Sequence, residues 1–265
     1  TSGRWLVCLD RRSGAVRWKR AAQRDGFGFA VSGDRVFCVD YRGAAGRRAD
    51  DAESQLGEIV AFGLSDGEVL WGTPVTVPVL PSGLFGRSAP PLDPQLAYSA
   101  AADVVLFTRN EATVAGYRGT TGELLWARQW LCKERGAYTK FHPPVVLSDR
   151  FVTHPGFVVD LRTGEQVGER LWRARRGCPR ALGCVNMVLV RDGVVTYFDL
   201  VSGEQTLLRG IRSGCTASHI PAGGVVVAPH YMRHCNCNYP LSFSAAFVAM
   251  PEVFSWDVAR AAKSR

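Results

Sequence analysis

The stretch Gly57-Glu58-Ile59-Val60-Ala61-Phe62-Gly63-Leu64-Ser65-Asp66-Gly67-Glu68-Val69-Leu70-Trp71 decides the fold. An apolar run from Ile59 to Leu64 stops at a small polar pair and Gly67, and a second apolar run closes on Trp71. Two β-branched or aromatic runs parted by a few residues ending in glycine predict a β-hairpin. Gly67 can take the positive φ of such a turn without the clash a Cβ brings. Trp71 ends the second strand with a large flat surface that has to be buried against something.

The same sentence recurs along the chain. Leu6 to Trp18 is one copy, with Asp10, Ser13 and Gly14 at its turn, and Val114 to Trp126 is another, with Thr121 and Gly122. Two weaker copies run from Phe157 to Gln166 (Asp160, Thr163, Gly164) and from Val194 to Gln205 (Asp199, Ser202, Gly203). The turn glycines lie about 40 to 55 residues apart, within or just above the spacing of four-stranded propeller blades. A lone hairpin cannot bury its own face, whereas hairpins stacked radially can. The expected fold is therefore an all-β propeller of four-stranded antiparallel blades.

The elements Asp10-x-x-Ser13-Gly14-x-x-x-Trp18 and Thr121-Gly122-Glu123-Leu124-Leu125-Trp126 resemble the tryptophan-docking repeat of PQQ-type, or quinoprotein-like, propellers. The resemblance implies that Trp18, Trp71 and Trp126 each pack against a neighbouring blade and hold the ring together. In the two weaker copies Val167 and Thr206 stand near the tryptophan position, so looser docking is expected there. The repeat specifies fold and leaves function open.

At 265 residues, 46 % of them hydrophobic, the chain can bury a sizeable core, and its 28 glycines and 14 prolines suit short strands and tight turns. Its apolar runs are too short and interrupted for a transmembrane helix. The net charge of +8 rests on arginine, with lysine only at 19, 133, 140 and 263. Arg170, Arg173, Arg175, Arg176 and Arg180 cluster, but no nucleic-acid-binding motif goes with them, so nucleic acid is not the expected partner.

Taken in order, residues 1 to 22 supply the last two strands of a blade. Phe27 to Tyr41 gives two strands broken at Ser32-Gly33-Asp34, and residues 42–55 form a polar insertion expected to be an exposed loop. Thr73 to Pro94 holds six prolines and reads as an extended connector across one face of the disc. Leu96 to Tyr117 gives three strands, Trp126 to Tyr138 a linker, and three blades follow over Phe141–Gln166, Arg176–Leu207 and Cys215–Met250. This makes one propeller domain over residues 1–250, about five and a half blades, with a tail at 251–265. The chain opens at Thr1 in mid-blade and without a methionine, which reads as the C-terminal part of a seven- or eight-bladed ring.

Five cysteines lie between positions 178 and 237: Cys178, Cys184, Cys215, Cys235 and Cys237, with His219, His230 and His234 nearby. Cys235 and Cys237, two residues apart, share one face of a strand. Here Arg176-Gly177-Cys178, Gly210 to Cys215, Ile220-Pro221-Ala222-Gly223-Gly224 and Cys235-Asn236-Cys237-Asn238-Tyr239-Pro240-Leu241 resemble the C-terminal end of exported bacterial PQQ-binding-like β-propeller repeat proteins. The resemblance places that family's four cysteines on Cys178, Cys215, Cys235 and Cys237 and implies an extracytoplasmic, oxidising compartment.

Three readings of the cluster stand side by side. Two disulfides among those four cysteines would tie the last two blades together, each adding roughly 2–4 kcal/mol. Cys235, Cys237 and His234 would otherwise hold a metal, although a C-x-C spacing is tighter than zinc sites use. Buried reduced thiols are the third reading, which also suits Cys8 and Cys38 inside their apolar strands.

Catalytic motifs are missing from the sequence. It has no P-loop, G-x-S-x-G, H-E-x-x-H or C-x-x-C-H, and no adjacent Cys-Cys pair of the quinoprotein dehydrogenase kind. His142 and His154 read as structural, hydrogen-bonded residues. The expectation is a non-catalytic, extracytoplasmic binding or scaffold module without a cofactor, meeting an unidentified protein or glycan on the disc face. The alternatives are part of a quinoprotein oxidoreductase whose PQQ and Ca²⁺ ligands lie upstream, and a Cys/His metal-binding or redox protein.

Overall fold

A computed structural model describes residues 4–22, 28–40, 57–76, 95–109, 113–129, 145–152, 156–169, 171, 181–184, 186–192, 194–208, 219–229 and 244–248. They contain strands and turns and no helix, as the short alternating runs dictate. The chain divides into two compact units, Thr1–Ala174 and Arg175–Arg265.

The first unit begins with the hairpin β1 (Arg4–Leu9) and β2 (Val16–Ala22). A four-stranded sheet follows: β3 (Phe29–Val31), β4 (Arg35–Asp40), β5 (Glu58–Gly63) and β6 (Val69–Pro74). The next comprises β7 (Gln95–Ser99), β8 (Val104–Arg109), β9 (Thr113–Arg118) and β10 (Leu124–Gln129), so β10 takes up the first residues of the stretch expected to be a linker. The unit closes with β11 (Val145–Leu147), β12 (Arg150–Val152) and β13 (Val158–Asp160), extended by a bridge between Val159 and Gln166.

Within each sheet every pair is antiparallel and strands lie side by side in chain order. First strands of successive sheets are neighbours, β3 beside β7 and β7 beside β11. This is the propeller arrangement expected from the repeat.

Apolar burial follows from that stacking. Phe37, Val39, Ile59 and Ala61 from one sheet meet Val105, Phe107, Ala115 and Tyr117 from the next in one core cluster. A second cluster joins Val104, Leu106, Val114 and Trp126 to Phe151, Val159 and Leu161. The middle strands, buried on both faces, read as continuous apolar runs for that reason.

The second unit has a four-stranded sheet, β14 (Leu182–Cys184), β15 (Met187–Asp192), β16 (Val194–Asp199) and β17 (Gln205–Leu208). It also has a three-stranded sheet, β18 (Ile220–Ala222), β19 (Val225–Ala228) and β20 (Ala245–Val248). Val188, Leu189, Val190, Val195 and Phe198 are buried in the larger sheet.

Candidate functional site

The residues that do most to organise the molecule sit at the seams between successive sheets. Each repeat turn is closed by the same backbone bonds. Gly14 N–H donates to the Asp10 carbonyl at 2.8 Å, Gly67 N–H to Gly63 at 2.8 Å and Gly122 N–H to Arg118 at 2.8 Å. Gly164 and Gly203 do the same with Asp160 and Asp199, both at 2.9 Å. All five glycines have φ between 68° and 75°, the left-handed region that a side chain disfavours.

In three copies the turn aspartate caps the amides ahead of the glycine. The Asp10 carboxylate accepts from Arg12 N–H at 3.0 Å and Ser13 N–H at 2.9 Å, and Asp160 accepts from Arg162 and Thr163 at 2.8 and 2.9 Å. Asp199 accepts from Val201 and Ser202 at 2.8 and 3.2 Å. The Ser13 amide, aided by the Arg17 guanidinium at 2.7 Å, holds the Asp10 carboxyl well below the usual carboxylate range.

Onto these turns come the tryptophans. Trp18 Nε1–H donates to the Leu64 carbonyl at 2.9 Å, and its ring lies so close over Gly67 that a Cβ there would be 2.7 Å from Cδ2. Trp71 Nε1–H donates to the Gly119 carbonyl at 3.1 Å, with its ring over Gly122. Trp126 Nε1–H donates to the Leu161 carbonyl at 2.7 Å, with its ring over Gly164 and stacked on Phe151 at 5.9 Å between centroids. The acceptor is always the residue three before the turn glycine. Its own amide is tied back to the sheet: Leu64 N–H bonds to Asp34, Gly119 to Asp103 and Leu161 to Asp149.

Three features of this seam escaped the sequence reading. The first is a register shift just before each tryptophan. Leu9 pairs with Val16 but Cys8 with Trp18, so Arg17 is the extra residue, and Leu70 and Leu125 hold the same place before Trp71 and Trp126. A bulge sharpens the local twist and re-aims the side chain. Strand β17 has none, since Phe198 pairs with Gln205 and Tyr197 with Thr206 in unbroken register. Its signal was the four-residue spacing from glycine to tryptophan.

The second is the small residue opposite each indole: Cys8, Ala61 and Gly116, against Tyr197 opposite Thr206. The third is a further donor two residues after each tryptophan. Arg20 Nε–H donates to Gly67 O at 2.6 Å, Thr73 Oγ1–H to Gly122 O at 2.8 Å and an Arg128 guanidinium N–H to Thr163 O at 3.5 Å. Residues two apart on a strand share a face, which is what carries both groups to one turn.

Cys178, Cys215, Cys235, Cys237, His230 and His234 lie outside the described residues, as do the arginine cluster at 170–180, residues 41–56 and 77–94, and the tail at 251–265. Cys38 is buried in β4, and Cys8 and Cys184 are free thiols, the latter with its pKa raised by burial. His219 is fully buried next to β18. Among the described residues no three His, Cys, Asp or Glu side chains are grouped to hold a metal ion, and no helix is long and apolar enough to cross a membrane.

A family model described as "Outer membrane protein assembly factor BamB" matches residues 1–206, the span that contains all five repeat turns. The chain belongs to this family. BamB-like PQQ repeats account for the turn glycines and their spacing. Among solved structures, BamB from Moraxella catarrhalis is similar over 81 % of the chain at 15 % identity, with a TM-score of 0.53. Sqt1 from Saccharomyces cerevisiae is similar over 85 % at 11 % identity, also with a TM-score of 0.53. At such identities the likeness is one of fold. The chain spans 58 % and 63 % of the length of these two proteins. No curated protein sequence matches it.

Proposed function

We propose that this chain is part of an extracytoplasmic β-propeller that binds another protein and carries out no chemical step. The observation behind the reading is the BamB family match over residues 1–206. That family is named for outer-membrane protein assembly, and the proposed partner is accordingly a polypeptide. The described architecture suits it: antiparallel sheets, pinned at three seams of the first unit by an indole, present short turns at the surface, where recognition is usually placed. The ion pairs that reach those turns from the strands, such as Arg20–Glu68 at 2.7 Å and Arg118–Glu123 at 3.1 Å, are exposed and add little to stability.

The oxidising compartment goes with the proposed pairing of Cys178, Cys215, Cys235 and Cys237 into two disulfides. Non-reducing peptide mapping of protein from the cell envelope should recover two linked peptide pairs. Four reduced thiols, or one equivalent of metal released on thiol modification, would instead favour the Cys235, Cys237 and His234 site.

The binding role itself is tested by photocrosslinking from exposed turn positions such as Ser65 and Val201 in intact cells. The expected product is a discrete crosslink to a polypeptide. PQQ and Ca²⁺ added to the protein should produce no dye reduction with alcohols. Turnover there, with no crosslink, would replace the module by the oxidoreductase.

A further inference from the structure

Four of the described sheets end on the second strand of a repeat hairpin, at β2, β6, β10 and β17, and among the described residues each of these strands pairs on one side only. Such an edge presents a row of backbone N–H and C=O groups that another strand can take up. Proteins ordinarily blunt it with a bulge, a charge or a proline. The first three edges are blunted in this way. Strand β2 has a register shift opposite Cys8 and Leu9 and carries Arg17, Lys19 and Arg20. Strand β6 has its shift opposite Ala61 and Phe62 and ends on Pro74. Strand β10 has one between Leu124 and Trp126 and carries Arg128.

Strand β17 has none of these devices. Its four residues, Gln205-Thr206-Leu207-Leu208, hold no charge and no proline, and they pair with Phe198 to Val195 in unbroken register. With no bulge to twist it away, the edge runs straight along β16. Side-chain cover stops short as well. Gln205 and Leu207 share a sheet face with their cross-strand partners Phe198 and Thr196, which are 3 % and 0 % exposed. Leu207 is 43 % exposed and Gln205 is exposed too, so the cover on that face ends one strand before the edge.

We infer that the outer edge of β17 receives an extended segment of the partner polypeptide as an added strand, an inference that rests on the binding role proposed above. The occupant follows from what the edge offers. A peptide backbone repeats N–H and C=O groups at strand spacing, and an uncharged β-branched side chain beside Leu207 would complete its cover. A second copy of this chain is the poorer fit. Each copy carries a net charge of +8, so two copies repel, whereas an acidic polypeptide is drawn in.

The test uses the 265-residue chain and, as probe, the end-blocked peptide Asp-Glu-Thr-Val-Thr-Val-Thr-Glu-Asp, β-branched at its centre and acidic at its ends. Amide hydrogen exchange across Gln205–Leu208 should slow at least about tenfold once the probe is well above its Kd. The same peptide N-methylated throughout its centre keeps the side chains but lacks the donors, and should give no protection. Leu207→Lys, which puts on this edge the charge that edges ordinarily carry, should abolish protection by the unmodified peptide. Gln205→Lys, at an exposed position on the same face, keeps the test sound if Leu207→Lys loosens the sheet. No protection at millimolar probe, or protection indifferent to N-methylation and to both lysines, would overturn the added strand. Concentration-dependent dimers in sedimentation that Leu207→Lys dissolves would give the edge to a second copy and overturn the partner. Crosslinks from Ser65 and Val201 with an unprotected edge would remove this inference and leave the binding role standing, whereas no crosslink at all would remove the binding role on which it rests.

Discussion

Tyr117 shows how far single residues here are committed to packing. It is fully buried between two sheets, and its hydroxyl has no hydrogen-bond partner among the described residues. Burial disfavours the phenolate and pushes the pKa up to about 12. Because the folded value is raised, the associated stability is complete below the unfolded value near 10 and is lost as pH climbs towards 12. Tyr117→Phe should remove that slope in alkaline denaturation and gain about 1 kcal/mol at neutral pH, since it deletes an unsatisfied buried group. A loss of stability would mean that the hydroxyl is bonded after all. The turn glycines offer a matched pair. Gly164→Ala places a Cβ against the Trp126 ring in a left-handed conformation, whereas Gly203→Ala meets the conformation alone. Urea unfolding should show about 3 kcal/mol lost for the first and about 1 kcal/mol for the second. Equal losses would mean that the ring does not press on Gly164.

The hairpin is the unit in which sequence and structure agree best. Strand runs, turn glycines and the aligned tryptophans were all legible because each is local: alternation, a positive φ and a large apolar surface are written in consecutive residues. What the hairpin does to its neighbour was harder to read. The bulge at Arg17, Leu70 and Leu125 is one extra residue with no chemical mark of its own, and the acceptor carbonyls of Leu64, Gly119 and Leu161 belong to backbone, which side-chain motifs do not reveal. Thr73 is another case, since a strand threonine becomes a second clip only because it follows Trp71 by two. Thr73→Val should cost about 1 kcal/mol, the net worth of one hydrogen bond, with little change in strand content by circular dichroism. No measurable cost would show that Gly122 O is satisfied without it.

At the scale of the whole molecule, order comes from the seams, three of which each join residues 35 to 48 apart in the chain, near the period of the repeat, through one indole. The propeller itself was readable from that period. The fate of the cysteine cluster was not, because disulfide pairing depends on distances between strands far apart in the chain. If the seams carry the fold, Trp126→Ala should cost about 3–5 kcal/mol, as a large core truncation does. The most direct measurement is a double-mutant cycle in chemical denaturation between Trp126→Ala and Gly164→Ala. Strong coupling, about 1–3 kcal/mol, is expected, because the alanine at 164 does its harm mainly by striking the indole and does far less once the indole is gone. Additive losses, with Trp126→Ala alone costing less than about 1 kcal/mol, would contradict it and leave the sheets joined by something other than their tryptophans.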